Sequence, residues 1–121
     1  MKRVGGDERP HGNPGPDHFT MPATTQRLLD QADGLAVRLY RVTFREGART
    51  NWHRHDGEQL LFGVSGRCTV VDRDGNALGL DPGDLVIVDP GEEHWHGAAD
   101  GSEGAHLEIN LGENTTWLEP A

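Results

Sequence analysis

The chain has 121 residues, enough for one domain with one core, and sets 11 Lys+Arg against 20 Asp+Glu for a formal net charge of -9. Such an acidic surface repels phosphate backbones and anionic lipid, and the basic residues form no stripe, so neither nucleic acid nor membrane is an expected partner. Cys68 is the only cysteine, no run approaches the ~18 apolar residues of a membrane span, and the first residues lack a signal-peptide apolar stretch, which together point to a cytoplasmic protein.

Residues 1–18 are rich in Gly, Pro and charge and read as a flexible tail before a single domain over 19–121. His11 and His18 fall in that tail without a partner at metal-ligand spacing, so both read as solvated side chains. Met21-Pro22 and TTQRLLDQ fit a short helix or an edge strand, with strand preferred. From Leu35 the period becomes two. In LAVRLYRVTF, Ala36, Tyr40, Val42 and Phe44 share one face, interrupted by Arg38, as in a half-buried strand. A turn at REGA, a strand carrying WHRH, a loop at DGE and a strand QLLFGVSG follow. CTVVDRDGNALGL reads as a hairpin turning at Asp74-Gly75; then come a turn DPGD, a buried strand LVIVD, a turn PGEE and a strand HWHGA. AHLEINLG is the last strand expected. Short strands at near-regular spacing, without a long amphipathic helix, predict an all-β fold. A jelly-roll β-barrel of eight strands accommodates them, with room inside for one small ligand.

His53 and His55 are two apart, so a strand turns both imidazoles to one face, as two ligands of one ion require. A third ligand must come from a distant strand, and His94, after a Pro-Gly turn, is suitably placed. Gln59 can add a side-chain oxygen. Cys68, with no histidine near it in sequence, reads as a packing residue.

The stretch Gly47-ARTNW-His53-R-His55-DGE-Gln59-LLFGVS-Gly66 resembles the first cupin motif, and Pro82-Gly83-Asp84-LVIVD-Pro90-Gly91-EE-His94 resembles the second. The motifs span residues 47–94, and the flanking strands extend the likeness from about Leu35 to Leu111. The cupin pattern usually carries Glu where this chain has Gln59. Glu58, one residue earlier, is the alternative oxygen donor, and strand parity favours Gln59. The string GARTNWH…GEQ…PGEEHWHGAA is most similar to very small cupins that include carboxymuconolactone-decarboxylase-associated proteins and manganese-dependent bacterial hydroxynitrile lyases.

That resemblance implies metal ligands His53, His55, His94 and Gln59, and a pocket that includes Tyr40, Val42, Thr50, His96, His106 and Asn110, with Phe44 sharing the parity of Tyr40 and Val42. In the last strand Leu107, Ile109 and Leu111 alternate with His106, Glu108 and Asn110. The default reading buries the leucine face; the cupin likeness turns the polar face toward the metal instead. His106 is then the expected general base, with His96, Glu108 and Tyr40 as further catalytic candidates. The ion is expected to be Mn or Fe, with Zn, Ni or Co also suited to imidazole ligands. Trp52 and Trp95 face away from the histidines and suggest a homodimer contact. The expected activity is Lewis-acid chemistry on a small organic molecule, with carbon–carbon cleavage or formation of the hydroxynitrile-lyase kind as the concrete case. An Fe(II)-dependent dioxygenase and a non-catalytic small-molecule binder are the alternatives.

Overall fold

Strands with one apolar face gain by burying that face against another sheet, and in the computed structural model two antiparallel sheets do so. The structure describes residues 1–29 and 33–121, so the end of the TTQRLLDQ reading, residues 30 and 31, lies outside them. In chain order the strands are β1 (His11–Gly12), β2 (Ala23–Arg27), β3 (Arg38–Phe44), β4 (His53–His55), β5 (Gln59–Gly66) and β6 (Cys68–Asp72). They continue as β7 (Ala77–Leu80), β8 (Leu85–Val88), β9 (His94–Ala98), β10 (Gly104–Asn110) and β11 (Thr115–Trp117). One sheet has the order β1-β2-β3-β10-β5-β8 and the other β11-β4-β9-β6-β7.

The all-β jelly roll is therefore present, as two facing sheets that do not close into a strict barrel. Eleven strands are seen among the described residues where eight were expected. β1 and β11 are two and three residues long, too short for a two-residue period to register. AHLEINLG is accordingly not the last strand: β11 follows and sets Thr115 opposite His55 and Trp117 opposite His53. The strand preference at residues 23–27 holds, with β1 covering the outer edge of β2. The N-terminal segment read as a tail makes several bonds to the domain. Gln26 Nε2 donates to the Gly6 and Arg9 carbonyls at 2.7 and 3.0 Å, and Asn51 Nδ2 to the Pro16 carbonyl at 3.0 Å.

Phe44 and Leu61, both fully buried, anchor the core between the sheets. Beside it the chain crosses itself at Gly97. A Cβ there would lie 2.5 Å from the Ala48 carbonyl oxygen, so only glycine lets residues 48–50 lie over β9. The crossing is fixed by Thr50 N–H donating to His96 O at 2.9 Å and Ala98 N–H to Ala48 O at 3.0 Å.

The two outward tryptophans are each covered by an arginine of the same chain: Arg73 sits 4.0 Å over the Trp52 ring and Arg49 4.6 Å over Trp95. A larger apolar surface lies elsewhere. On the outer face of the six-stranded sheet, Leu39, Ile109, Leu60 and Ile87 form one cross-strand row, and Leu107, Phe62 and Leu85 the next. Within these rows Phe62, Leu85 and Ile87 are exposed and no acidic side chain intrudes, unlike the rest of this acidic surface. We expect a second copy to cover this face in a two-fold dimer. Light scattering at micromolar concentration should report a dimer that Ile87→Lys with Phe62→Lys converts to monomer; a wild-type monomer refutes the expectation.

Candidate metal centre

β4 and β9 are neighbours, with His53 directly opposite His94. The pleat sends His53 with His55, and His94 with His96, into the space between the sheets, and none of the four is more than 5% exposed. The His53 ring centroid lies 4.3 Å from that of His94 and 5.0 Å from that of His55. Nitrogens of His53, His94 and His96 fall within 4.8 Å of one another, a cluster that fits a divalent metal ion. This triple differs from the expected one by holding His96 in place of His55.

Hydrogen bonds to the far side of each ring decide what the near side offers. His53 Nδ1 is 2.9 Å from the Asn51 carbonyl oxygen, and His94 Nδ1 is 2.9 Å from that of Glu92. A carbonyl only accepts, so Nδ1 carries the proton in both rings and Nε2 presents a lone pair inward. His55 Nδ1 is held by the Thr115 hydroxyl at 2.9 Å. The Nε2 atoms of His53 and His55 are buried without a hydrogen-bond partner. His94 Nε2 instead faces Gln59 Oε1 at 2.8 Å. Gln59 is held in this orientation by donating from Nε2 to Asn110 Oδ1 at 3.0 Å. Two acceptors so close need a proton or a cation between or beside them, and burial lowers the His94 pKa, which disfavours the proton. The residues present therefore fit a metal ion. Glu58, the alternative oxygen donor, is exposed, whereas Gln59 is fully buried at the site.

His96 is engaged differently. Its Nδ1 meets His106 Nε2 at 2.9 Å, and its Nε2 lies 3.2 Å from Glu108 Oε1, within ion-pair reach though off the alignment of a good hydrogen bond. Glu108 Oε2 in turn faces the Asn110 amide at 3.5 Å. The even face of β10 thus points inward: His106 is fully buried and Asn110 only 3% exposed.

A cavity of about 440 Å³ opens beside the histidines. Tyr40, Val42, Thr50, Glu108 and Asn110 line it, together with His53 and His55. Phe44 does not. It packs in the core, its ring 5.4 Å from that of His106 and 6.1 Å from that of His96, because β3 carries it past the cavity floor. His96 and His106 also stand behind the lining, so His106 reaches the cavity only through His96 and Glu108. His18, read from sequence as a solvated tail side chain, instead lines the cavity, as do Arg38, read only as a break in an apolar face, and Trp117, to which no role was assigned. Arg38 had a visible signal, a cation on the inward parity of β3. His18 and Trp117 had none; their rings stack at 4.1 Å only because the two ends of the chain meet over His53.

Burial is the first cause that lowers the pKa of His53, His55, His94, His96 and His106, with neighbouring imidazoles adding repulsion at His53 and His96. His55 falls from 6.5 to about 4. Between those values the unfolded chain binds more protons than the folded one, so stability is full above pH 6.5 and drains as pH falls toward 4. Each such histidine adds a slope of at most about 1.4 kcal/mol per pH unit. The urea midpoint should drop steeply across this window, and a flat midpoint would contradict the burial of neutral imidazoles.

A cupin-domain family model matches residues 40–111. The chain is 38% identical to an (R)-mandelonitrile lyase of Granulicella tundricola over 98% of its own length and 92% of that protein. A cupin-like protein of Thermotoga maritima superposes with a TM-score of 0.85 at 34% identity, covering 97% of this chain and 90% of that one. The polyketide cyclase RemF of Streptomyces resistomycificus, 21% identical, shares the fold with a TM-score of 0.81 over 100% of this chain and 87% of its own. With both histidine motifs on neighbouring strands of one sheet of a jelly roll, the chain belongs to the cupin family.

Proposed function

We propose that this cupin is a metal-dependent lyase that makes or breaks a carbon–carbon bond in a small organic molecule, in the manner of a hydroxynitrile lyase. The observation that carries the reading is the set of inward acceptors: His94 Nε2 against Gln59 Oε1, beside the partnerless Nε2 atoms of His53 and His55. His53, His55, His94 and Gln59 would hold the ion. His96 is not counted among them, because its two nitrogens already meet His106 and Glu108. Manganese or iron is the preferred metal, on ligand type and on the resemblance of the two histidine motifs to manganese-dependent hydroxynitrile lyases. When bound, a divalent ion there supplies Lewis acidity and fixed positive charge.

The remaining steps belong to the chain's own side chains. Glu108 is the cavity-lining carboxylate of the catalytic group, so it takes the proton from a substrate hydroxyl or returns it. His96 Nδ1 meets His106 Nε2 at 2.9 Å and His96 Nε2 lies 3.2 Å from Glu108 Oε1, so the three residues would pass a proton once His96 and Glu108 align. His106, expected as the base itself, is a positioning residue acting through His96. Asn110 orients both Gln59 and Glu108, and Tyr40 offers a phenol on the opposite strand, paired with Glu108. The stacked His18 and Trp117 form one wall of the cavity. Cys68 takes no part: it is buried, and burial with the nearby Asp81 pushes its thiol up to about 11. We read the setting as cytoplasmic, in line with this single unpaired thiol.

Elemental analysis of the purified protein, followed by mandelonitrile cleavage assays with the identified metal, tests the proposal. His53→Ala with His55→Ala should remove stoichiometric metal. Glu108→Gln should cut turnover by about 10²- to 10⁴-fold at unchanged metal content, and His106→Phe by less. Full metal occupancy in the double variant sinks the site. Oxygen uptake in place of cyanohydrin cleavage would assign oxygen chemistry instead.

A further inference from the structure

Arg38 is a cation on the inward face of a strand, in the same file as Tyr40, Val42 and Phe44. That placement costs free energy unless the guanidinium is paired. Of its N–H groups, Nη2 donates to the Gly112 carbonyl at 2.9 Å, while Nε is buried with no partner. It forms no close ion pair with a carboxylate among the described residues: Asp56 is near enough to feel its charge but is held by the backbone N–H groups of Glu113 and Asn114. Glu108, two positions along the neighbouring strand from Arg38's partner Asn110, is turned toward His96 and Asn110 instead. Arg38 thus stands at the cavity mouth, where β3 meets the loop at Gly112–Asn114, with donors left over.

We propose that Arg38 anchors the carboxylate of a small organic acid, whose apolar body lies in the cavity between Tyr40 and Trp117 and points toward His53 and His55. A guanidinium fork matches a carboxylate with two parallel hydrogen bonds, and Nη1 together with the Nη2 proton not given to Gly112 offers that pair. The cavity sets the size and the charge. Its volume of about 440 Å³ suits a ligand of one ring or a short chain, and Phe19, Val42 and Trp117 make part of the lining apolar. Glu108 inside and the exposed Glu113 at the rim oppose further negative charge, so a monocarboxylate fits and a phosphate or dicarboxylate does not. The inference shares its cavity with the proposed lyase reading and goes beyond it: a neutral cyanohydrin leaves Arg38 unused, and the anchor serves an acid that occupies the same cavity.

Isothermal titration of the purified full-length protein with benzoate and with its neutral analogue benzamide tests this, with metal content measured on the same samples. Wild type should bind benzoate at least about tenfold more tightly than benzamide, the scale of a charge-assisted hydrogen bond. Arg38→Gln should erase that preference while leaving metal content and circular dichroism unchanged, and Arg38→Lys should keep part of it. Equal binding of the two probes to wild type, or a preference that survives in Arg38→Gln, overturns the proposal; survival would assign the carboxylate to the metal. A protein without metal that still prefers benzoate through Arg38 would remove the lyase reading and leave the anchor standing.

Discussion

The carbonyl oxygens of Asn51 and Glu92 take the Nδ1 protons of His53 and His94, and the rest of the site follows from that constraint. Each carbonyl belongs to the residue two positions before its histidine, so the approach to the strand fixes both the tautomer and the ring plane before the second strand arrives. Gln59 turns its oxygen to His94 because its amide nitrogen is drawn to the other side, where it donates to Asn110. The result is a cluster rich in lone pairs and poor in protons, which is the electrostatic signature of a cation site.

The second consequence is electrostatic. A chain of net charge -9 places five of its seven histidines in a nearly dry interior, where burial keeps them neutral. Neutral imidazoles can ligate a metal or carry a proton, and the fold sorts these five into two groups: His53, His55 and His94 lie together around Gln59, while His96, on the same strand as His94, pairs with His106 and lies beside Glu108. The single carboxylate facing this group also supplies negative charge that a glutamine ligand does not.

Close backbone approach makes the arrangement possible. Gly97 lets residues 48–50 cross β9, which sets Thr50 Oγ1 to accept the His96 N–H at 3.2 Å and holds the second histidine strand in register. Gly57 and Gly112 do the same at the open end, where a Cβ on Gly57 would lie 2.6 Å from the Gly112 backbone. That contact brings the Gly112 carbonyl under Arg38 and carries the chain on to β11, whose Thr115 orients His55 and whose Trp117 covers His53.

What the sequence determined was whatever depends on local period and spacing. The two-residue alternation marked β3 and β10; the His-x-His pair and the turn before His94 pointed to imidazoles that the fold brings together; strand parity favoured Gln59, which is buried there, over the exposed Glu58. These are short-range properties, fixed by the pleat. Tertiary structure decided what depends on which strands meet. It put His106 behind His96 and not in the cavity, left Phe44 in the core, and turned the polar face of β10 inward, which the cupin likeness implied and the alternation alone did not. It also joined His18 to Trp117 across the length of the chain, and left Arg38 facing the cavity with an unpaired donor. No local pattern encodes these outcomes, because each arises from contacts between segments far apart in sequence, and their geometry exists only once the two sheets have packed.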